Sequence, residues 1–176
     1  MTWTAATGVA MSLCDMLLPD FDHEMAVTRR VLERVPDAAL AWRPHDRSFD
    51  LGGLALHVAH IPRWGRTILE RDSYDLAEGS GRRPATPSSR SVILQTFDAH
   101  VKAVRIDLLG RTDGELLAPW SLLRGGHLLM SLPKCSAFRS FLLHHVIHHR
   151  GQLTVYLRLQ DVPLPPIYGA TADESM

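Results

Sequence analysis

The chain has 176 residues, 45% of them hydrophobic, which suits the core of one compact domain and leaves little room for a second. Its 19 Lys and Arg cancel 19 Asp and Glu, so no general attraction to nucleic acid, an anionic membrane or a polyanionic partner is expected. The start, Met1 to Leu18, is mildly apolar but has no basic leader and is interrupted by Asp15, which argues against a signal peptide or a membrane span.

Phe21, Met25, Thr28, Leu32 and Val35 recur at helical intervals before Pro36 and predict a first helix over about residues 19–35, with a charged far face. After a loop from Pro36 to Phe49, Asp50 is placed to cap a second helix that runs to about Arg71. Its apolar face is Leu51, Leu54, Val58, Ile61, Gly65 and Ile68, with His57 on the edge of that face and His60 rotated outward. Pro62 removes a backbone bond to Val58 and predicts a local kink rather than an end.

Asp72 to Arg90 is rich in Gly, Ser, Pro and Arg and is read as a surface loop, the expected place for disorder. A third helix over about residues 91–109 turns Ile93, Phe97, His100, Val104 and Leu108 to one face, so His100 points inward. A hydrogen-bonded core histidine is the preferred reading of His100, ahead of metal or substrate contact. Two short apolar runs, Trp120 to Leu123 and His127 to Leu132, flank Arg124-Gly-Gly126 and predict a β-hairpin. A fourth helix over about residues 136–160 precedes an acidic, proline-bearing tail, 161–176. Four long amphipathic segments with a hairpin before the last predict an all-α four-helix bundle, a single domain spanning 1–176. Cys14 and Cys135, isolated and without CxxC spacing, are read as packing residues in a reducing, cytoplasmic setting.

The fourth helix carries the chemistry. His144, His145, His148 and His149 form two pairs at i,i+4 spacing, and such a pair stacks on one helix face where two imidazoles can grip one metal ion. At 100° per residue, His145 and His149 share a face with Phe138, Leu142, Leu153 and Tyr156, with Gln152 one turn on, whereas Arg150 and Arg158 fall on the far side. His145/His149 is therefore the inward pair, and His144 and His148 are read as solvent-facing and given no role. If the second helix meets this face, His57 can supply a third ligand.

Leu54-Ala-Leu-His-Val-Ala59, Pro62-Arg-Trp64, His145-Val-Ile-His-His-Arg-Gly-Gln-Leu153 and the end Val162-Pro-Leu-Pro-Pro-Ile-Tyr-Gly-Ala-Thr-Ala-Asp-Glu174 resemble the DinB-like proteins, the superfamily that also includes the YfiT-type proteins. The resemblance runs from about Phe21 to Glu174. It implies a four-helix bundle with one histidine from the second helix and two from the fourth around a divalent metal, which carried onto this sequence are His57, His145 and His149. Zinc or nickel is the metal most often implied, with manganese or iron as alternatives. The resemblance also implies homodimers, for which Leu143 and Ile147 are apolar candidates unless the chain's own loops cover them. Activities in the family include transfer with low-molecular-weight thiols, a thiol-dependent isomerisation, and presumed metal-dependent hydrolysis.

Three protein ligands leave a coordination position for water or substrate, the pattern of a catalytic rather than a structural site. The expected function is thus a metal-dependent enzyme, a thiol S-transferase or a hydrolase acting on a small molecule. No carboxylate is placed as a general base, and Gln152 is read as orienting a ligand or water, or as a plain core hydrogen bond. The competing reading is a metal-binding stress or interaction protein without turnover, in which the ion staples the helices and His100 could complete the shell. A bundle whose histidines bind no metal is the third.

Overall fold

The computed structural model describes residues 11–79 and 85–175. Ser12 caps the first helix, α1 (Leu13–Leu32), through a reciprocal pair of bonds with Asp15, so the helix starts well before the expected residue 19 and carries Pro19 within it. The expected stripe is buried throughout: Phe21, Met25, Thr28, Leu32 and Val35, although Val35 lies just past the helix end.

Asp50 caps α2 (Leu51–His60), its carboxylate accepting from the Gly53 amide at 2.6 Å. The expected second helix is interrupted for two residues. Ile61 and Pro62 keep helical backbone angles, but the next bonds, Trp64 N–H to Ile61 O and Gly65 N–H to Pro62 O, span three residues before α3 (Arg63–Glu70) begins. Gly65 is where α3 meets its neighbours: a Cβ there would lie 2.6 Å from Leu142 Cδ1 and 2.7 Å from Val104 Cγ1.

The segment read as an open loop from Asp72 to Arg90 contains β1 (Ser73–Asp75) followed by a 3-10 turn, Leu76–Glu78; residues 80–84 lie outside the described residues. β1 is too short to show periodicity and owes its place to a partner far along the chain: it pairs in parallel with β2 (Pro119–Arg124), which pairs antiparallel with β3 (His127–Pro133). Gly125 and Gly126 make the connecting turn at φ values of 57° and 79°, a backbone that side chains disfavour, and both amides donate to the Asp75 carboxylate. The hairpin is thus tied at its tip to β1.

α4 (Arg90–Leu108) buries Ile93, Phe97, Val104 and Leu108 as expected, and a short α5 (Asp113–Leu117) leads into the sheet. The last helical segment is not uniform: α6 (Lys134–Phe138) passes through a π-helical turn, Arg139–His144, into α7 (His145–Arg158). Helices with a small three-stranded sheet make up the fold, and α1, α2, α4 and α7 surround the main core, with Trp120, Ile68, Leu122 and Ala137 forming a second cluster under the sheet.

The facing of α7 differs from the sequence reading. Its buried stripe is Val146, Arg150, Leu153 and Leu157, about 100° round from His145 and His149, which therefore flank the core instead of sitting at its centre. Arg150, expected on the far side, is 1% exposed. It is buried because it has partners: Nη1 donates to Thr28 Oγ1 at 3.2 Å and pairs with Glu24, and Nη2 donates to Tyr168 Oη at 2.7 Å. A constant 100° step that counts arginine as outward misplaces the face by one residue. Of the two residues considered for a dimer contact, Leu143 is buried in the chain's own core and Ile147 packs half-buried against it.

Candidate metal centre

α2 and α7 run side by side, and the flank where they meet brings His57, His145 and His149 together, with one ligating nitrogen from each within 4.8 Å of the others. The rings lie 4.5 Å (His57 to His149), 4.8 Å (His145 to His149) and 5.4 Å (His57 to His145) apart by centroid. His145 and His149 lie one above the other, their rings tilted by 52°, because four residues return the helix to nearly the same azimuth, and His57 enters from α2 roughly edge-on to both. Phe49, just ahead of the Asp50 cap, lies near-parallel to His57 at 5.7 Å and backs its ring.

All three rings are biased toward the neutral form. Burial pulls the His57 pKa down to about 4, helped by His149, His145 and His60. Burial also lowers His145 and His149, opposed in His145 by a hydrogen bond to the Phe141 backbone and in His149 by Gln152. His149 Nδ1–H donates to Gln152 Oε1 at 2.8 Å, which leaves the lone pair on Nε2. Neutral imidazoles with oriented rings are the donors a divalent ion needs. Two nitrogens bound to one zinc stand at most about 4.2 Å apart, so the trio fits a single ion after small ring movements.

The other histidines are arranged differently. His144 and His148 are exposed, as expected, although the His148 ring lies 4.8 Å from that of His149. His60 Nδ1 and His100 Nε2 are 3.2 Å apart in a half-buried pair between α2 and α4. His100 is thus hydrogen-bonded, in line with its preferred reading, and is not among the clustered residues. Gln152 is exposed and bonded to His149, not a core residue. A cavity of about 480 Å³ opens beside the trio, bordered by His149, Gln152, Leu54, Phe49, Tyr156 and Arg47. The sequence reading placed Tyr156 on the face of His145 and His149 but missed the Phe49 and Arg47 wall, since the loop from Pro36 to Phe49 has no periodicity to place it. It is held by backbone bonds from Leu51 to Trp42 and from Gly52 to Leu40.

The family model described as the DinB family matches residues 11–175, and the chain belongs to that family. It is similar to the Bacillus subtilis (strain 168) protein YrdA, at 26% identity over 165 residues, covering 91% of this chain and 90% of YrdA. In fold it is similar to a DinB-like protein of Bacillus cereus ATCC 10987, with a TM-score of 0.70 at 22% identity over 90% of this chain and 99% of that one. A second DinB-like protein, YjoA of Bacillus subtilis, aligns with a TM-score of 0.64 at 18% identity over 87% of this chain and 97% of that one.

Proposed function

We propose that this DinB family protein is a metal-dependent enzyme built on a helical bundle, in which His57, His145 and His149 hold one divalent ion and a small molecule reacts beside it by thiol transfer or hydrolysis. The observation that carries the reading is the convergence of three imidazoles, biased toward neutrality by burial, one of which, His149, borders a cavity of small-molecule size. An all-imidazole set suits zinc or nickel among the divalent ions, with iron close behind. Such an ion supplies Lewis-acid chemistry, polarising a substrate group or stabilising a thiolate. The chain's own residues do the rest: Gln152 fixes the ring of His149, Phe49 backs His57, and Leu54 and Tyr156 shape the space next to the ligands. Among the described residues no acidic side chain borders that space, so no carboxylate base is assigned.

The competing reading, an ion that only staples α2 to α7, is disfavoured by the cavity against His149, which gives a small molecule access to that side of the trio. Elemental analysis of untagged protein purified without chelator tests the proposal. The expectation is near one metal per chain in the wild type, lost in His57→Ala, His145→Ala and His149→Ala and kept in His144→Ala and His148→Ala. No metal after reloading with zinc, nickel and manganese would remove the enzyme reading, and equal losses in all five variants would remove the assignment of ligands.

A further inference from the structure

The last helical segment changes phase just before it reaches the histidines. At about 100° per residue, seven residues complete about two turns, so an unbroken α-helix would set His145 over Phe138, in the core. The fully buried residue two turns on from Phe138 is instead Val146, and the buried stripe runs on from it through Arg150, Leu153 and Leu157. The residue in excess belongs to the π-helical turn, Arg139–His144, because bonds that reach five residues back in place of four take up one more residue per turn. That one residue carries His145 and His149 out of the core and onto the flank where His57 meets them.

The same turn supplies a partner for one of the rings. The His145 amide donates to the Leu142 carbonyl, three residues back. The carbonyl it would take in a regular α-helix, that of Phe141, accepts from the His145 ring. A ring nitrogen that donates keeps its proton, which leaves the lone pair on the other nitrogen. Phe141 is itself clamped: its ring packs against Trp64 at 5.7 Å and Trp120 at 5.5 Å between centroids, and Leu142 beside it lies against Gly65 too closely for a Cβ. His149 is held from the other direction, by Gln152 three residues further on. The two candidate ligands of α7 are thus each oriented by one hydrogen bond, from opposite ends of the pair.

We propose that the π-helical turn is the positioning element of the histidine pair: its extra residue sets the pair on the flank beside His57, and its Phe141 carbonyl holds the His145 ring with one nitrogen bare for an ion. The use of that nitrogen as a ligand rests on the metal reading, whereas the orientation of the ring does not. Helix packing alone would leave the imidazole free to flip and to exchange its proton between nitrogens, and a ligand in that condition binds more weakly.

The test is nitrogen NMR of metal-free protein labelled on histidine, in mildly alkaline buffer, with His145→Gln identifying the signals. His145 is expected in a single tautomer, one nitrogen protonated and the other bare. Deleting Ser140, an exposed residue of the turn, removes the extra residue. The deletion variant is expected to keep its helical content, to show His145 exchanging between tautomers and to hold zinc about tenfold or more weakly, while Ser140→Ala matches the wild type in both readouts. Exchange between two tautomers in the wild type would overturn the proposal, as would a folded deletion variant that holds zinc as tightly as the wild type. If the deletion variant does not fold, the wild-type spectrum decides. A wild type that takes up no zinc yet shows one His145 tautomer would refute the metal centre and leave the positioning role of Phe141 standing.

Discussion

Arg150 Nη1 stands 2.7 Å from Glu24 Oε2, a contact between two side chains that are 2% and 12% exposed, and it joins the helix bearing His145 and His149 to α1. The Oε2 atom has no aligned hydrogen bond, so the contact is electrostatic, while Oε1 accepts from the Tyr168 hydroxyl at 2.8 Å. Tyr168 thereby draws the C-terminal tail onto the same pair. Removing the cation leaves a buried carboxylate uncompensated, which costs about 3–5 kcal/mol, far more than the pair contributes in net terms. Arg150→Met is therefore expected to lower unfolding free energy in urea by that amount, and adding Glu24→Gln to recover a large part of it. A loss under about 1 kcal/mol in the single variant would show that Glu24 finds another route to solvent.

That buried ion pair also shows where sequence reasoning ends. The stripe on α1 was legible because its residues are apolar at helical spacing, and Thr28 within it was the one trace of a polar partner to come. On α7 the same reasoning read Arg150 as a solvent marker, since periodicity registers residue type and not pairing. The histidine trio survived this error because i,i+4 stacking is local and because His57 sits on the edge of its face, where rotation by one residue still leaves it near α7. Neither β1 nor the Phe49 and Arg47 wall could be read, as both are placed by distant contacts: β1 by Ser121 to Leu123, the wall by backbone bonds to the α2 start.

Close packing at Gly65 predicts an intolerance that helix propensity alone would not. An exposed helical glycine gains from replacement by alanine. Here the new methyl meets Leu142 and Val104 at distances that real contacts do not show, and Phe138 Cε2 at 3.1 Å leaves no third way out. Gly65→Ala is expected to cost about 1–3 kcal/mol by overpacking, measured as a lower urea midpoint with an unchanged slope. A stabilised variant would mean that α3 can move away from the π-helical turn at Leu142.

Acid should loosen the protein through the three clustered histidines. His57 is held at about 4 against an ordinary 6.5, so between those values the unfolded chain binds a proton that the folded one refuses. Its contribution is neutral above about pH 6.5 and turns progressively against the fold as pH falls to 4, and His145, His149, His60 and His100 shift in the same direction. The melting temperature of chelator-treated protein is expected to fall across this window, less steeply in His57→Gln. Identical slopes for the two proteins would show that His57 is not protected from protonation.

Gln152 offers the most specific test of how the site is organised, because its contact with His149 is one hydrogen bond at 2.8 Å on an exposed face. Its amide oxygen can only accept, so the bond fixes the proton on Nδ1 and leaves the lone pair on Nε2. Gln152→Ala leaves the ring free to turn and to exchange tautomers, and partners of this kind are worth about 10–100-fold in metal affinity. Gln152→Glu keeps an acceptor at the same reach and adds negative charge, which raises the basicity of the opposite nitrogen. Competition with a chromogenic chelator should therefore rank zinc affinity as Glu at or above the wild type and Ala well below both, with stability in the metal-free state nearly equal for all three. An alanine variant that holds zinc as tightly as the wild type would mean that helix packing alone orients His149.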